Sequence, residues 1–425
     1  MAAHPLDEIA LAVDAATRAV AQVMEPTPLQ RDARLSELTG ADVWLKREDL
    51  SPVRSYKLRG AYTLMSALTT KHRRAGVIAA SAGNHAQGVA FACAALGIDG
   101  EIVVPSTTPR QKRDRIAALG GRHVKILVAG ETYDASSAIA AELAVGHGRT
   151  LVPAFDHPAT IAGQGTVAAE VVAQLDGKAP DVMVLPVGGG GLLAGCGAWL
   201  SVNSRHTHIV GVEPAGAACM IAALAAGQPV ALPRVETFAD GAAVGRAGNV
   251  TYPLVAAIKP EMLAVPEGQV CSEMLDLYHS EGVIAEPAGA LATSVLRRGP
   301  RDVVLDVSPG QTVVCVVSGG NNDISRYSEI IERSLVFEGR KQYLLVTFPQ
   351  EPGALRRFLD EVLGEGDDIV LFEYTKKSNR ETGPALVGIE LGNPDDFPSL
   401  LARLDATPIK AEVVDPTSTL YRYLV

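Results

Sequence analysis

Aromatic residues make up 5% of this chain, and cysteine occurs five times in 425 residues. The cysteines (Cys93, Cys196, Cys219, Cys271 and Cys315) are scattered, odd in number and contain no CxxC pair. That excludes a disulfide framework and predicts buried thiols in a reducing cytoplasm. A basic, apolar leader is also missing: Met-Ala-Ala-His-Pro-Leu-Asp-Glu at the N-terminus does not read as a signal peptide. With a formal net charge of −10 the chain lacks the basic excess that nucleic acid or an anionic membrane would require. One uncharged run, residues 182–200, is long enough to cross a bilayer, but Pro186 and six glycines make that backbone unfit for lipid. What is plentiful is apolar and small. The apolar fraction is 47%, the charged fraction 20%, and there are 41 glycines, a composition of closely packed helices on buried sheets.

The length predicts two to three domains. Ala- and Val-rich periodicity predicts a helix up to Val23, ended by Pro26 and Pro28. From Val43 to Leu296 short apolar runs alternate with amphipathic segments. Gly76–Ala80, Glu101–Val104 and Val124–Val128 read as strands, with helices over 86–96 and 109–119. A second series has strands at 181–185, 209–212 and 312–317 and helices near 160–175, 191–200, 215–226, 267–281 and 288–297. This rhythm predicts two α/β lobes with parallel sheets and a cleft between them for a small ligand. After about residue 325 the pattern changes. Strands at 342–348, 368–374, 385–391 and 410–414 interleave with helices from Pro352 and over Phe397–Leu404, the βαββαβ order of a ferredoxin-like α+β domain. Leu355, Phe358, Leu359, Val362 and Leu363 predict the buried stripe of its first helix, and Ser378–Gly383 a polar loop. The boundaries expected are 1–335 for the first domain, with a small lobe at about 46–154 inserted in a large one, and 336–425 for the second.

Four segments carry candidate chemistry. Lys57 lies in Ser-Tyr-Lys-Leu-Arg-Gly-Ala (55–61), flanked by Tyr56, Leu58, Ala61 and Tyr62. A desolvated amine is easily neutralised and can attack a carbonyl; a lysine is otherwise a solvated surface charge. Ser81-Ala82-Gly83-Asn84-His85 follows an apolar strand and opens a helix, where backbone amides can hold a carboxylate, or where Ser81 or Asn84 simply caps the helix. Gly188, Gly189, Gly190 and Gly191, followed by Leu192, can wrap an anion at a helix start. The same stretch satisfies the relaxed dinucleotide fingerprint over 189–194, with Glu213 at the distance expected of a ribose ligand, so an NAD-dependent dehydrogenase competes here. No Gly-Lys-Ser/Thr follows, which excludes a Walker loop. Ser318-Gly319-Gly320-Asn321-Asn322 ends a strand, where α/β proteins place ligands, or is a glycine turn.

In this order the segments resemble the fold-type II pyridoxal phosphate enzymes, most closely the biosynthetic threonine dehydratases (threonine ammonia-lyases). Ala239-Asp240-Gly241, Glu286-Pro287-Ala288-Gly289-Ala290 and the tail segment Phe348–Leu355 extend the resemblance over nearly the whole chain. It implies pyridoxal 5'-phosphate carried on the Lys57 amine, its phosphate at Gly188–Leu192, its ring hydroxyl at Asn84 and its ring nitrogen at Ser318. The substrate carboxylate would sit on Ser81, Ala82, Gly83, Asn84 and His85, with Ser81 also counted as catalytic. Glu286 would face the substrate, although Glu-Pro opening a helix is equally a structural start. The implied reaction converts L-threonine to 2-oxobutanoate and ammonia, with Lys57 taking the Cα proton. Related serine racemases carry a second serine where Ala82 stands, and alanine offers no acid or base, so racemisation is not expected. Their divalent-ion site has no counterpart at Ala217 and Cys219, and no metal is expected. The tail resembles an ACT-like regulatory domain. It implies isoleucine as an allosteric inhibitor of the first step of isoleucine biosynthesis, and a homo-oligomer, taken as a tetramer. A serine/threonine deaminase under different control, a purely structural tail and a catalytically silent sensor are the remaining alternatives.

Overall fold

The computed structural model describes residues 5–374, 381–415 and 418–424. The chain divides into two compact units: 1–298 with 302–322, and 299–301 with 323–425.

The first unit holds two sheets. The larger runs in the order β1 (Leu29–Arg31), β2 (Asp42–Arg47), β10 (Thr312–Val317), β7 (Val182–Pro186), β8 (His208–Pro214), β9 (Glu261–Val265). All its neighbours are parallel except the β1–β2 edge pair. The smaller sheet is wholly parallel, in the order β5 (Val124–Val128), β4 (Gly100–Val104), β3 (Val77–Ala80), β6 (Thr150–Leu151). It is built from chain that leaves the large sheet after β2 and returns at β7. Every residue of the inner strands β3, β4 and β7 is buried, and apart from Glu101 in β4 none of them is charged. The two parallel lobes expected of a fold-type II enzyme are therefore present.

The abundance of small residues has a direct reading in the helix packing. A Cβ placed on Gly195 would lie 2.2 Å from the carbonyl oxygen of Ile161, so the helices Gly191–Asn203 and Pro158–Gln174 meet backbone to backbone. Gly163 touches Arg59 and Gly60 in the same way, seating Pro158–Gln174 against the helix Lys57–Ser66. Charge is also buried there. The Arg59 guanidinium forks onto Glu48 (2.8 Å) and onto Glu170 (2.7 Å), and Lys46 reaches Glu170 at 2.7 Å. Two cations against two carboxylates leave the cluster neutral, which makes its burial tolerable.

The second unit carries an antiparallel sheet in the order β12 (Asp368–Tyr374), β13 (Thr382–Glu390), β11 (Lys341–Pro349), β14 (Lys410–Val413). With helices after β11 and β13 this is the expected ferredoxin-like order. Its core gathers Leu344, Val346, Phe348, Val387 and Leu400, with Phe348 edge-on to Phe358 at 5.4 Å. The first helix departs from expectation. After one α turn (Ala354–Arg357) it widens into a π turn (Phe358–Val362); Ala354, Phe358 and Val362 face the core while Leu355 and Leu359 are each 44% exposed. Of the predicted polar loop, Ser378–Arg380 lie outside the described residues, and its last residues, Thr382 and Gly383, already belong to β13. The N-terminal helix stops at Val20, three residues early. The strand β9 and the helices Tyr133–His147 and Thr251–Ile258 had no counterpart in the sequence reading.

Candidate functional site

The sequence motifs meet at the carboxyl ends of β3, β7 and β10, between the two lobes of the first unit. Lys57 opens the helix Lys57–Ser66 and is half-buried, whereas Leu58 to Tyr62 behind it are buried. Its Nζ donates to the carbonyl oxygen of Ala154 at 3.2 Å and stands 5.0 Å from the Tyr56 ring centre. The next residue, Phe155, lies against the glycine loop. A Cβ on Gly189 would fall 2.3–2.4 Å from three atoms of the Phe155 ring, and one on Gly191 2.9 Å from the Phe155 Cβ. Ala154-Phe155 thus ties the amine to the glycine run.

That run joins β7 to the helix Gly191–Asn203. Gly190 has φ +93°, and a side chain there would also meet Met220 Cε at 2.4 Å. Thr251 Oγ1 donates to the Gly189 carbonyl at 2.6 Å, and Asp156 accepts from the amides of Asn249, Val250 and Thr251. The loop is therefore braced, and its helix-start amides, which the helix itself cannot pair, mark a place for an anion. Leu192 turns into the core and can offer only its main chain. A cradle too tight for any side chain, beside an amine, suits a phosphate-bearing aldehyde such as pyridoxal phosphate.

The rival dinucleotide reading fails on Glu213. Its carboxylate is buried and accepts from the amides of Met220 (2.7 Å) and Ile221 (2.8 Å), capping the helix Cys219–Ala226. Burial pushes it up to about 7 in spite of those bonds. A carboxylate spent on a helix cap is not a ribose ligand.

Opposite the cradle, Ser81 Oγ accepts from the Gly83 amide at 3.2 Å, and Gly83 precedes the helix Asn84–Leu96. Ser81 to Asn84 are half-buried, and a Cβ on Gly83 would meet nothing within 4 Å. His85 differs from the other members of this loop. Its ring is 4% exposed and turned inward, with Nε2 bonded to the Val152 carbonyl at 2.7 Å, so only its main chain belongs to the open face. Asn84 donates to Glu286 Oε1 at 2.5 Å and accepts from Asn321 Nδ2 at 2.8 Å. Glu286 is buried, and burial, with the Asp240 charge adding to it, pushes its carboxyl up to about 7. Asp240 itself holds Lys112 of the small lobe at 2.9 Å. Ser318 Oγ donates to the Ala288 carbonyl at 3.1 Å and is 3% exposed. The Ser318 loop locks the Lys57 segment through a Ser55–Gly319 bridge and a bond from the Tyr56 amide to the Ser318 carbonyl. Sequence reasoning missed Phe155 and Thr251, and it named Asn321 only as part of the Ser318–Asn322 segment, without a role. The Asp156 side chain ahead of a helical run was the one available signal.

Comparison with known proteins identifies the family. The family described as pyridoxal-phosphate dependent enzyme matches residues 20–319, and the C-terminal regulatory domain of threonine dehydratase matches residues 332–424. The biosynthetic L-threonine dehydratase of Mycobacterium tuberculosis is 57% identical over 97% of this chain and 95% of its own length, and that of Bacillus subtilis 48% over 96% and 95%. Among solved structures, the processed form of threonine deaminase isoform 2 from Solanum lycopersicum aligns with a TM-score of 0.72 and 37% identity, over 77% of this chain and 93% of that one. Maize serine racemase aligns at 0.69 and 26%, over 76% and 97%. The chain thus belongs to the pyridoxal-phosphate dependent enzymes and, within them, to the biosynthetic threonine dehydratases that carry a C-terminal regulatory domain.

Proposed function

We propose that the protein dehydrates and deaminates L-threonine to 2-oxobutanoate and ammonia. The observation that carries this is the Ala154-Phe155 step, which sets the Lys57 amine beside the glycine cradle. Lys57, Asn84, Gly188–Leu192 and Ser318 are assigned to pyridoxal 5'-phosphate. When bound, that group supplies an electron sink for the charge left at Cα. Lys57, once free, accepts the Cα proton of threonine. Ser81 and the amides opening the helix Asn84–Leu96 seat its carboxylate. Ser318 brings a neutral hydroxyl, already committed to the Ala288 carbonyl, where a carboxylate would hold a ring nitrogen protonated. This favours rapid loss of the β-hydroxyl over side reactions. The released enamine hydrolyses in water to the keto acid and ammonia. Glu286 is assigned to the substrate side, where its buried carboxyl fixes Asn84.

The first 335 residues are assigned to catalysis and 336–425 to control, with isoleucine as the inhibitory ligand of the second. The protein is further assigned to the cytoplasm and to a homo-oligomer, a tetramer. Among the described residues no helix is long and apolar enough to cross a membrane.

The test is the visible spectrum of the purified protein, borohydride tagging at Lys57, and keto-acid production from threonine with and without isoleucine. Lys57→Ala should abolish the tag and lower turnover by roughly 10³-fold or more. A colourless wild type that yields no keto acid from threonine would end this reading.

A further inference from the structure

His85 is a buried group that the reaction scheme leaves unused. Its Nε2 lies 2.7 Å from the Val152 carbonyl oxygen, which can only accept, so Nε2 carries the ring proton. Nδ1 is then a lone-pair acceptor. It is buried and has no hydrogen-bond partner among the described residues, a costly arrangement for an acceptor. Protonation does not relieve it, because burial, reinforced by the Lys57 charge, pushes the imidazole down to about 4.

Three observations place the His85 ring in the neighbourhood of Lys57. Nε2 and Lys57 Nζ bond to carbonyls only two residues apart, those of Val152 and Ala154. Gly88, three residues on from His85 and on the same face of the helix Asn84–Leu96, packs on the Lys57 main chain: a Cβ there would lie 3.0 Å from the Lys57 carbonyl carbon. The Lys57 charge also acts on the ring itself. A neutral amine has two N–H bonds and one lone pair. Ala154 accepts one of those N–H bonds, which leaves the second to be taken by another acceptor nearby.

We propose that His85 is a positioning residue for the free Lys57 amine: Nδ1 and the Ala154 carbonyl take its two N–H bonds and so aim the nitrogen lone pair at the substrate. The inference rests on the assignment of Lys57 as the reacting amine. A ring fixed in this tautomer cannot compete for the proton that Lys57 takes up, and it continues to accept from the ammonium afterwards.

Two substitutions in the full-length holoenzyme separate this role from a structural one. In His85→Gln the amide can replace Nε2 at Val152 but leaves nothing at Nδ1; in His85→Asn the amide reaches the Nδ1 position and gives up Val152. We expect kcat in His85→Gln to fall about 10- to 100-fold with KM within about two-fold, and His85→Asn to lose less. The rate at which Lys57 of the apoprotein forms a borohydride-reducible imine after pyridoxal phosphate is added should follow the same order. The reverse order, Asn worse than Gln in both readouts, would overturn the proposal. Should either variant fail to fold, the 15N spectrum of His85 decides. In the full-length protein stripped of cofactor, where Lys57 is a free amine, the Nδ1 resonance should shift between wild type and Lys57→Met, and an unmoved resonance counts against the contact. Absence of any tag at Lys57 in the wild type would instead sink the assignment of Lys57, a separate result.

Discussion

The two strand–loop–helix turns of the site, 81–84 and 187–191, have the same local grammar and opposite packing. Around Gly188–Gly191 a Cβ would meet Ala242, Phe155 or Met220 at 3.0 Å or less, and Thr251 pins the Gly189 carbonyl. Around Gly83 a Cβ would meet nothing within 4 Å. One turn is a fixed receptacle and the other is open. A group that stays bound through every cycle gains from a preformed cradle, whereas a substrate that enters and leaves gains from a loop that yields. Glycine therefore serves close packing in one turn and an unobstructed approach in the other.

The largest effect should come from Gly189→Ala. The Phe155 ring must move, which costs about 1–3 kcal/mol of stability. Its displacement also disturbs Ala154, where the Lys57 amine is held. Pyridoxal phosphate affinity, titrated by absorbance, should fall at least about 10-fold; each factor of ten is about 1.4 kcal/mol. Wild-type affinity in this variant would break the contrast between the two turns.

The two-lobed parallel architecture and the ferredoxin-like tail were legible in the sequence, because buried strands read as apolar runs and half-buried ones alternate. The glycine run was legible as a tight strand-to-helix turn, but its spacing fitted a dinucleotide fingerprint equally well. What was hidden depended on long-range neighbours. Arg59 and Lys46 look like surface charges until the fold delivers Glu48 and Glu170 to them. Phe155 reads as an ordinary core aromatic until the chain brings it onto Gly189. The stripe was misread at Leu355 and Leu359 because the core face runs through Ala354, Phe358 and Val362, one residue away from them. Glu213 stood at the right distance for a ribose ligand, and spacing along a chain could not reveal that its oxygens were already spent on a helix cap.

A smaller effect should appear on the far side of the open loop. Glu286 holds Asn84, and its carboxyl is raised from 4.5 to about 7. The folded state therefore keeps this proton at pH values where the unfolded chain has lost it. The associated stability is complete below about 4.5 and disappears as pH rises through about 7. Glu213 and Glu273, also raised to about 7, impose the same trend on the whole protein, so a difference measurement is needed. Glu286→Gln stays neutral at every pH. Its melting temperature relative to wild type should climb from the acid to the neutral end of that window. A flat difference would mean that burial is not what governs the carboxyl.

The smallest effect should come from Gly83→Ala. Gly83 has φ −120° and ψ −141°, a negative φ, and open space where the new methyl would stand. Melting should therefore change by no more than about 0.5 kcal/mol, the range of a surface substitution. Cofactor affinity should not change either, because the cradle is built from other elements. Any loss should fall on the substrate: a methyl in that space narrows the approach to the Ser81 loop, and KM for threonine should rise while the visible spectrum of the resting enzyme stays the same. A drop in stability or cofactor affinity matching that of Gly189→Ala would show that the two turns are equally constrained. The division between a fixed cradle and a yielding loop would then fail.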